Sequence, residues 1–386
     1  MQRWQEAGFG LYVHWPFCQS KCPYCDFNSH VSEMVNHDDW AEAYLLEMRR
    51  YARETPDRVL SSIFFGGGTP SLMKPATVAA LVDEAVKLWT PANNIEITLE
   101  ANPTSVEVGR FTDFRAAGIN RVSVGVQALN DQDLRRLGRM HDAREARRAI
   151  EISQTIFERT SFDLIYARQD QSLASWEAEL TEALLLAAGH LSLYQLTIEP
   201  GTVFGARFER GLLKGLPEED VAADMYDLTQ ALCKENGRPA YEISNHARAG
   251  DESRHNLIYW RCGDFVGIGP GAHGRLTDLT GNRHSTAAQL MPGEWLEGAL
   301  KGLDMADGRE LLTAEAQATE FVLMGMRVND GIDLQDYQRL MGKPLSPTKI
   351  QSLKEQGLVA MTDDRLHTTA SGRLLLNWVL KELLLS

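Results

Sequence analysis

Cys18, Cys22 and Cys25 fall within the run YVHWPFCQSKCPYCDF, three thiols in eight positions at the spacing C-x3-C-x2-C. On so short a loop each sulfur can turn inward, so the three can occupy three corners of a tetrahedral object and leave the fourth open. In an iron–sulfur cluster an iron that lacks a cysteine can bind an exogenous ligand. In a zinc site, His14 or His30 would complete the set. The spacing leaves both open and favours the cluster. The chain has five cysteines, an odd count, and the three clustered ones are too close together to form a disulfide framework. Cys233 and Cys262 stand alone and read as small buried hydrophobes.

The elements that must position these thiols follow a regular rhythm. Phe9 to His14 reads as a strand, DDWAEAYLLEMRRYARE as an amphipathic helix and VLSSIFF as a second strand. PATVAALVDEAVKLW, NIEITLEAN, a helix from Val106 to Ala117, RVSVGVQ, TSFDLIY, LASWEAELTEALLLAA and LSLYQLTIEP continue it. About six βα units result, and these require a parallel sheet with right-handed crossovers. An open doubly wound sheet and a partial barrel share that rhythm, but the polar residues separate them. Cys18, Gly66 to Thr69, Glu100, Gln127 and Asp163 lie at or near the carboxyl ends of five successive strands. Barrels place chemistry at many strand ends, whereas an open sheet concentrates it at one switch point. The expected fold is α/β, a partial (β/α)6-type TIM-like barrel.

With 386 residues the chain is long enough for more than one domain. Past about Pro200 the rhythm gives way to a Gly-rich connection, a helix and the segment SRHNLIYWRCGDFVGIGPGAHGR. Helices and a hairpin pattern around Asp363-Asp364 follow, resembling a winged helix. The expected division is a barrel over 1–235, a connecting segment over 236–305 and a smaller helical, winged-helix-like domain over 306–386. Hydrophobic residues make up 44% and charged residues 24%, an ordinary soluble globular balance. A net charge of −14 and the lack of a dense Lys/Arg face argue against nucleic acid as a partner. No stretch reaches the roughly 18 apolar residues of a membrane span, and the N-terminus lacks a secretory h-region, so the expected compartment is the cytoplasm.

Beyond chemistry and spacing, CQSKCPYC resembles the signature of the radical S-adenosylmethionine superfamily, and FFGGGTPS, one βα unit later, resembles its glycine motif. The resemblance is closest to the coproporphyrinogen-oxidase-like branch and covers nearly the whole chain. It is carried by YVHWPFC, FFGGGTPS, LEANP, RVSVGVQALNDQDLRRLGRMH, FDLIY, YEISNHA, HNLIYW and GIGPGAHG. It implies a 4Fe-4S cluster held by Cys18, Cys22 and Cys25, with S-adenosylmethionine chelating the fourth iron. By the same resemblance Tyr12 and Tyr24 line the cofactor, Gly67 meets its methionine end and Glu100 binds ribose hydroxyls. Gly68, Thr69, Gln127, Arg139 and Asp163 match positions at which the oxygen-independent oxidase holds a second S-adenosylmethionine. Read as residues alone, Asp163 could cap a turn and Arg139 could pair with Glu100 or Asp163. One departure stands out. After FDLIY the family continues with a Gly-Leu-Pro turn, and this chain has ARQDQS from Ala167.

The branch holds an enzyme class, which decarboxylates coproporphyrinogen III oxidatively, and a class of heme chaperones. The oxidases carry a fourth cysteine where this chain has Phe27, and a longer N-terminal extension than the seventeen residues before Cys18. HNLIYW, His255 to Trp260, is a motif of the chaperone class. His255 and Tyr259 share a face whether the stretch is strand or helix, and His255 is the candidate heme ligand, with His246 and His273 as alternatives. The expectation is therefore a heme chaperone that passes heme to acceptor proteins. The oxidase is the alternative, and no residue is assigned a catalytic role. Peripheral membrane contact and a homodimer are compatible with that reading.

Overall fold

The computed structural model describes residues 3–32 and 34–384. Six parallel strands follow one another in the order of the chain: β1 (Phe9–Trp15), β2 (Val59–Gly67), β3 (Thr90–Ala101), β4 (Arg121–Gln127), β5 (Arg159–Tyr166) and β6 (His190–Gln195). Each is joined to the next through helical segments, among them α1 (His37–Glu54), α2 (Pro75–Leu88), α3 (Ala143–Ile156) and α4 (Leu173–Leu186). Local chemistry sets their starts. The Asn36 side chain accepts from Asp38 N–H ahead of α1, Pro75 occupies the first turn of α2, and Asp142 with Glu145 forms a capping box on α3.

The same sheet continues beyond this barrel wall. β7 (Asn245–Ala247) pairs antiparallel with β6. On the other side β8 (Asp264–Ile268) runs parallel to β1, and β9 (His273–Thr277), β10 (Arg283–Ala288) and β11 (Ala306–Leu311) extend it antiparallel. The sheet is eleven strands wide and open, with β11 and β7 at its two edges. This is the partial barrel expected from the sequence. Its outer face packs Phe9, Leu11, Phe65, Leu99 and Val122 beneath Trp40, Tyr44, Leu81, Phe114 and Trp176 in one apolar core.

Its inner face is polar. Thr98 and Glu100 on β3, Arg121 and Ser123 on β4, Ser161 and Asp163 on β5, and His190 and Ser192 on β6 line one interior cavity of about 200 Å³. Each pair is two residues apart, the spacing that puts side chains on one face of a strand.

HNLIYW folds as α5 (Arg254–Trp260), capped by the Ser253 side chain, and lies across this inner face. Glu96, buried midway along β3, accepts from Arg254 N–H at 2.9 Å and pairs with Arg121 and Arg159 at 3.3 Å each. A carboxylate at the first turn of the helix is the favourable sign there.

The carboxyl-terminal unit has its own core, including Phe321, Val322, Ile332, Leu353, Leu366 and Val379. Its helices α6 (Ala314–Gly325), α7 (Leu334–Met341) and α8 (Pro347–Glu355) accompany a three-stranded antiparallel sheet. Val359–Thr362 and Arg365–Thr368 form the expected hairpin in that sheet.

Candidate functional site

The cysteine loop leaves β1 at the barrel mouth and is pinched at its base, where Phe17–Cys18 pairs with His30–Val31. Asn28 anchors it from the other side, its amide donating to the carbonyls of Pro270 and Leu290 at 2.9 Å each. Around the sulfurs, Thr69 Oγ1 donates to Cys18 Sγ and an Arg139 Nη1–H to Cys22 Sγ, both at 3.4 Å. Ser29 Oγ lies 3.9 Å from Cys25 Sγ. Arg139 also donates to Asn102 Oδ1 at 2.5 Å and to the Gly125 carbonyl at 2.8 Å. Arg139 is thus occupied by a sulfur and two oxygens rather than by an ion pair with Glu100 or Asp163. Tyr24 packs on Phe204 with ring centres 6.4 Å apart and sits beside Cys22 and Arg139.

Both histidines weighed as a fourth zinc ligand are hydrogen-bonded within the fold, His14 through both ring nitrogens and His30 through one. His14 Nδ1 bonds Tyr12 Oη at 3.0 Å, and its Nε2 bonds the Asn28 carbonyl at 2.9 Å. His30 Nε2 bonds Asn28 Oδ1 at 3.0 Å. Among the described residues no three His, Cys, Asp or Glu side chains converge as a set for a single ion. Three thiols with hydrogen-bond donors aimed at two of them suit a cluster with one cysteine-free iron. Burial pushes the Cys18 and Cys25 thiols up, so a metal's positive charge is what would hold them as thiolates.

Beside the cysteines, the chain turns sharply at Gly67, whose φ of +112° suits glycine. A side chain there would meet the His14 ring at 2.6 Å, and one on Gly68 would meet the Phe17 carbonyl oxygen at 2.8 Å. Gly67 N–H donates to Glu100 Oε2 at 3.3 Å. Burial first, and then the neighbouring Asp163 charge, push Glu100 up to about 8. Asp163 is itself pushed up to about 6 by burial, opposed by Ser192 and by Ser123, which donates to it at 3.3 Å. A buried carboxylate with so little compensation is a ready acceptor for ligand hydroxyls. Asp163 faces the interior cavity with Glu100 and accepts from Ser123 on the adjacent strand, in place of the turn-capping role it could have had.

Gln127 closes β4 in the left-handed region, with φ of 72°. Its carbonyl accepts from Arg168 at 3.3 Å. Arg168 explains how the chain manages without the Gly-Leu-Pro turn. Nearly buried, it also donates to the Ile165 carbonyl and pairs with Glu179 and Asp133 at 2.5 and 2.9 Å. That network holds Ala167 at φ 57°, a conformation costing an L-residue roughly 1–2 kcal/mol. Ala167→Gly should therefore raise stability by about 0.5–1 kcal/mol in urea unfolding. A loss would refute stored strain there.

His255 is buried, and both of its ring nitrogens are engaged. Nδ1 bonds Ser62 Oγ at 2.8 Å, and Nε2 bonds Tyr259 Oη at 2.5 Å. Its ring stacks on Phe64 with centres 4.9 Å apart, and burial pushes it down to about 3. Iron ligation through Nε2 would cost a buried hydrogen bond. His246 is equally buried.

Sequence reasoning missed the large chamber above the barrel mouth. About 990 Å³ lies between the cysteine loop, β9 and α6, walled by Tyr12, Phe27, Tyr259, Phe265, Leu323 and Met324. The helical spacing of Glu315, Thr319 and Leu323 put a second non-core face on α6, but only the docked domain turns it toward the barrel. Glu100 and Gly67 border this chamber as well, so it opens onto the residues assigned to S-adenosylmethionine.

The Radical SAM superfamily profile matches residues 12–178, and the HemN C-terminal domain profile matches residues 312–375. The heme chaperone HemW of Escherichia coli is 36% identical over 376 residues, covering 96% of this chain and 97% of that protein. The chain belongs to the HemW-like radical S-adenosylmethionine proteins. The radical S-adenosyl methionine domain-containing protein 1, mitochondrial, of Bos taurus is also 36% identical, across 97% of this chain and 87% of that protein. HemW-like proteins thus include mitochondrial ones, and membership alone does not choose the cytoplasm. Among the described residues no helix is long and apolar enough to cross a membrane. The fold is that of the coproporphyrinogen III oxidase HemN from Escherichia coli, with a TM-score of 0.80 at 23% identity over 97% of this chain and 89% of that one. The HemW-like family implies a 4Fe-4S cluster and S-adenosylmethionine, and the thiols, Gly67 and Glu100 suit both.

Proposed function

We propose that this protein is a heme chaperone, binding heme and releasing it to acceptor proteins. It would hold the cluster through Cys18, Cys22 and Cys25. S-adenosylmethionine would lie along Tyr12, Tyr24, Gly67 and Glu100, beside the thiols, where a bound cluster would supply reducing chemistry. Gly68, Thr69, Gln127, Arg139 and Asp163 are proposed as further cofactor contacts, of which Thr69 and Arg139 also orient the cysteines. The observation that carries the reading is the match over nearly the full length to proteins named heme chaperone HemW. Phe27 supports it, because an aromatic ring stands where the oxidases have a fourth cysteine, and here it borders the apolar chamber. The cytoplasm is the proposed compartment, and acceptor proteins are the proposed partners.

The experiment is anaerobic incubation of the reconstituted protein with heme and, in parallel, with coproporphyrinogen III plus S-adenosylmethionine and reductant. Heme should be bound and coproporphyrinogen III left unconsumed. Turnover to protoporphyrinogen IX would overturn the proposal in favour of the oxidase.

A further inference from the structure

Resting on the chaperone reading, we infer that heme is seated in the chamber between β9 and α6, with His273 as its iron ligand and Arg275 beside a propionate. The chamber has the size of a large ligand site, about 990 Å³, against the ~300–1,000 Å³ of typical pockets. Its walls carry the aromatic and aliphatic side chains a porphyrin face requires. Three histidines are placed near enough to be weighed, and two are committed: both nitrogens of His14 and of His255 accept or donate within the fold. His273 is exposed, borders the chamber and, among the described residues, has no side-chain hydrogen bond. Neutral imidazole is an ordinary axial ligand of heme iron. Partial desolvation of the ring by the chamber wall, and then the Arg275 charge, shift His273 down, which favours the neutral ring.

The strand supplies the second contact. His273 and Arg275 are two residues apart on β9, so both point to the same face, about 7 Å apart along the strand. A long guanidinium at that offset can reach a carboxylate at the macrocycle's edge while imidazole reaches its centre. Arg275 pairs with Glu320 on α6 at 2.9 Å, and Arg283 lies 3.7 Å from the same carboxylate, so Glu320 is balanced by two cations. Glu315 also borders the chamber, and a second propionate should therefore avoid that side. Because Glu100 and Gly67 border the same space, the porphyrin would lie against the S-adenosylmethionine site.

Ferric heme is titrated into the full-length, cluster-loaded protein, and the Soret band is compared for wild type, His273→Ala, His255→Ala and Arg275→Gln. Wild type should show the band of histidine-ligated heme. His273→Ala should lose that band and bind at least about tenfold more weakly, with millimolar imidazole restoring the band and circular dichroism showing an intact fold. Arg275→Gln should weaken binding and keep the band shape. A wild-type band in His273→Ala, or its loss in a folded His255→Ala alone, would overturn the seat while leaving the chaperone reading intact. Failure of wild type to bind heme would overturn both.

Discussion

Cys22→Ala is expected to remove essentially all cluster iron, along with the brown charge-transfer absorbance of the reconstituted protein. The three thiols are the only cysteines on the loop, and among the described residues the two histidines beside them are already hydrogen-bonded. Both nitrogens of His14 are bonded, and His30 is held by Asn28. Two thiolates cannot hold a cluster whose fourth position is meant for a dissociable ligand. The substitution also strips Arg139 of its sulfur acceptor and leaves a charged group in a partly buried position beside Tyr24. Cys233→Ala is the control, because that thiol is fully buried in the main core and should leave iron unchanged. Wild-type iron content in Cys22→Ala would refute the cluster assignment.

Glu100→Gln should weaken S-adenosylmethionine binding by about 10- to 100-fold at pH 8 and above, the range expected for losing about 1.5–3 kcal/mol of charge-assisted hydrogen bonding. The sign of its pH dependence follows from burial, which with Asp163 pushes Glu100 up to about 8. Ribose hydroxyls favour the ionised carboxylate, so binding releases a proton. Wild-type affinity should rise as pH climbs toward about 8 and level off above it. In Glu100→Gln that slope disappears. Calorimetry in two buffers of different ionisation enthalpy reads the released proton directly, and an identical pH profile in the variant would refute the assignment.

The stability of the ligand-free protein should move the opposite way. Below the ordinary value of 4.5 the group is protonated in both folded and unfolded chains. Between 4.5 and about 8 the folded protein keeps the proton that the unfolded chain has released, so stability falls as pH rises, and then it levels. Glu100→Gln should therefore match wild type near pH 4.5 and exceed it at pH 8 by on the order of 2 kcal/mol.

The cysteine loop, the parallel rhythm and the polar ends of five strands were legible because each is local. A thiol triad needs three positions, and a strand or helix is written in the period of its apolar residues. The alternation that makes the barrel interior polar was equally visible, in TLE, RVS, SFD and HLS, once those runs were known to be neighbouring strands. HNLIYW could not be read as strand or helix, since six residues fit either period. Its packing chose helix, and that packing is what engages both nitrogens of His255 with Ser62 and Tyr259. The ARQDQS loop looked like a broken turn, yet Arg168 replaces it with contacts to residues dozens of positions away.

By itself, then, the sequence determined the α/β class and the family and marked the thiols as ligands that favour a cluster, because these depend on residue type and short-range spacing. Only the tertiary structure decided which histidine is free and which carboxylate is desolvated, since availability and burial come from neighbours distant in the chain. Ser62 occupies His255 from β2. Burial, and then Asp163 on β5, raise Glu100 on β3. The chamber itself exists because α6, more than forty residues beyond β8, docks its polar and aliphatic face over the barrel mouth.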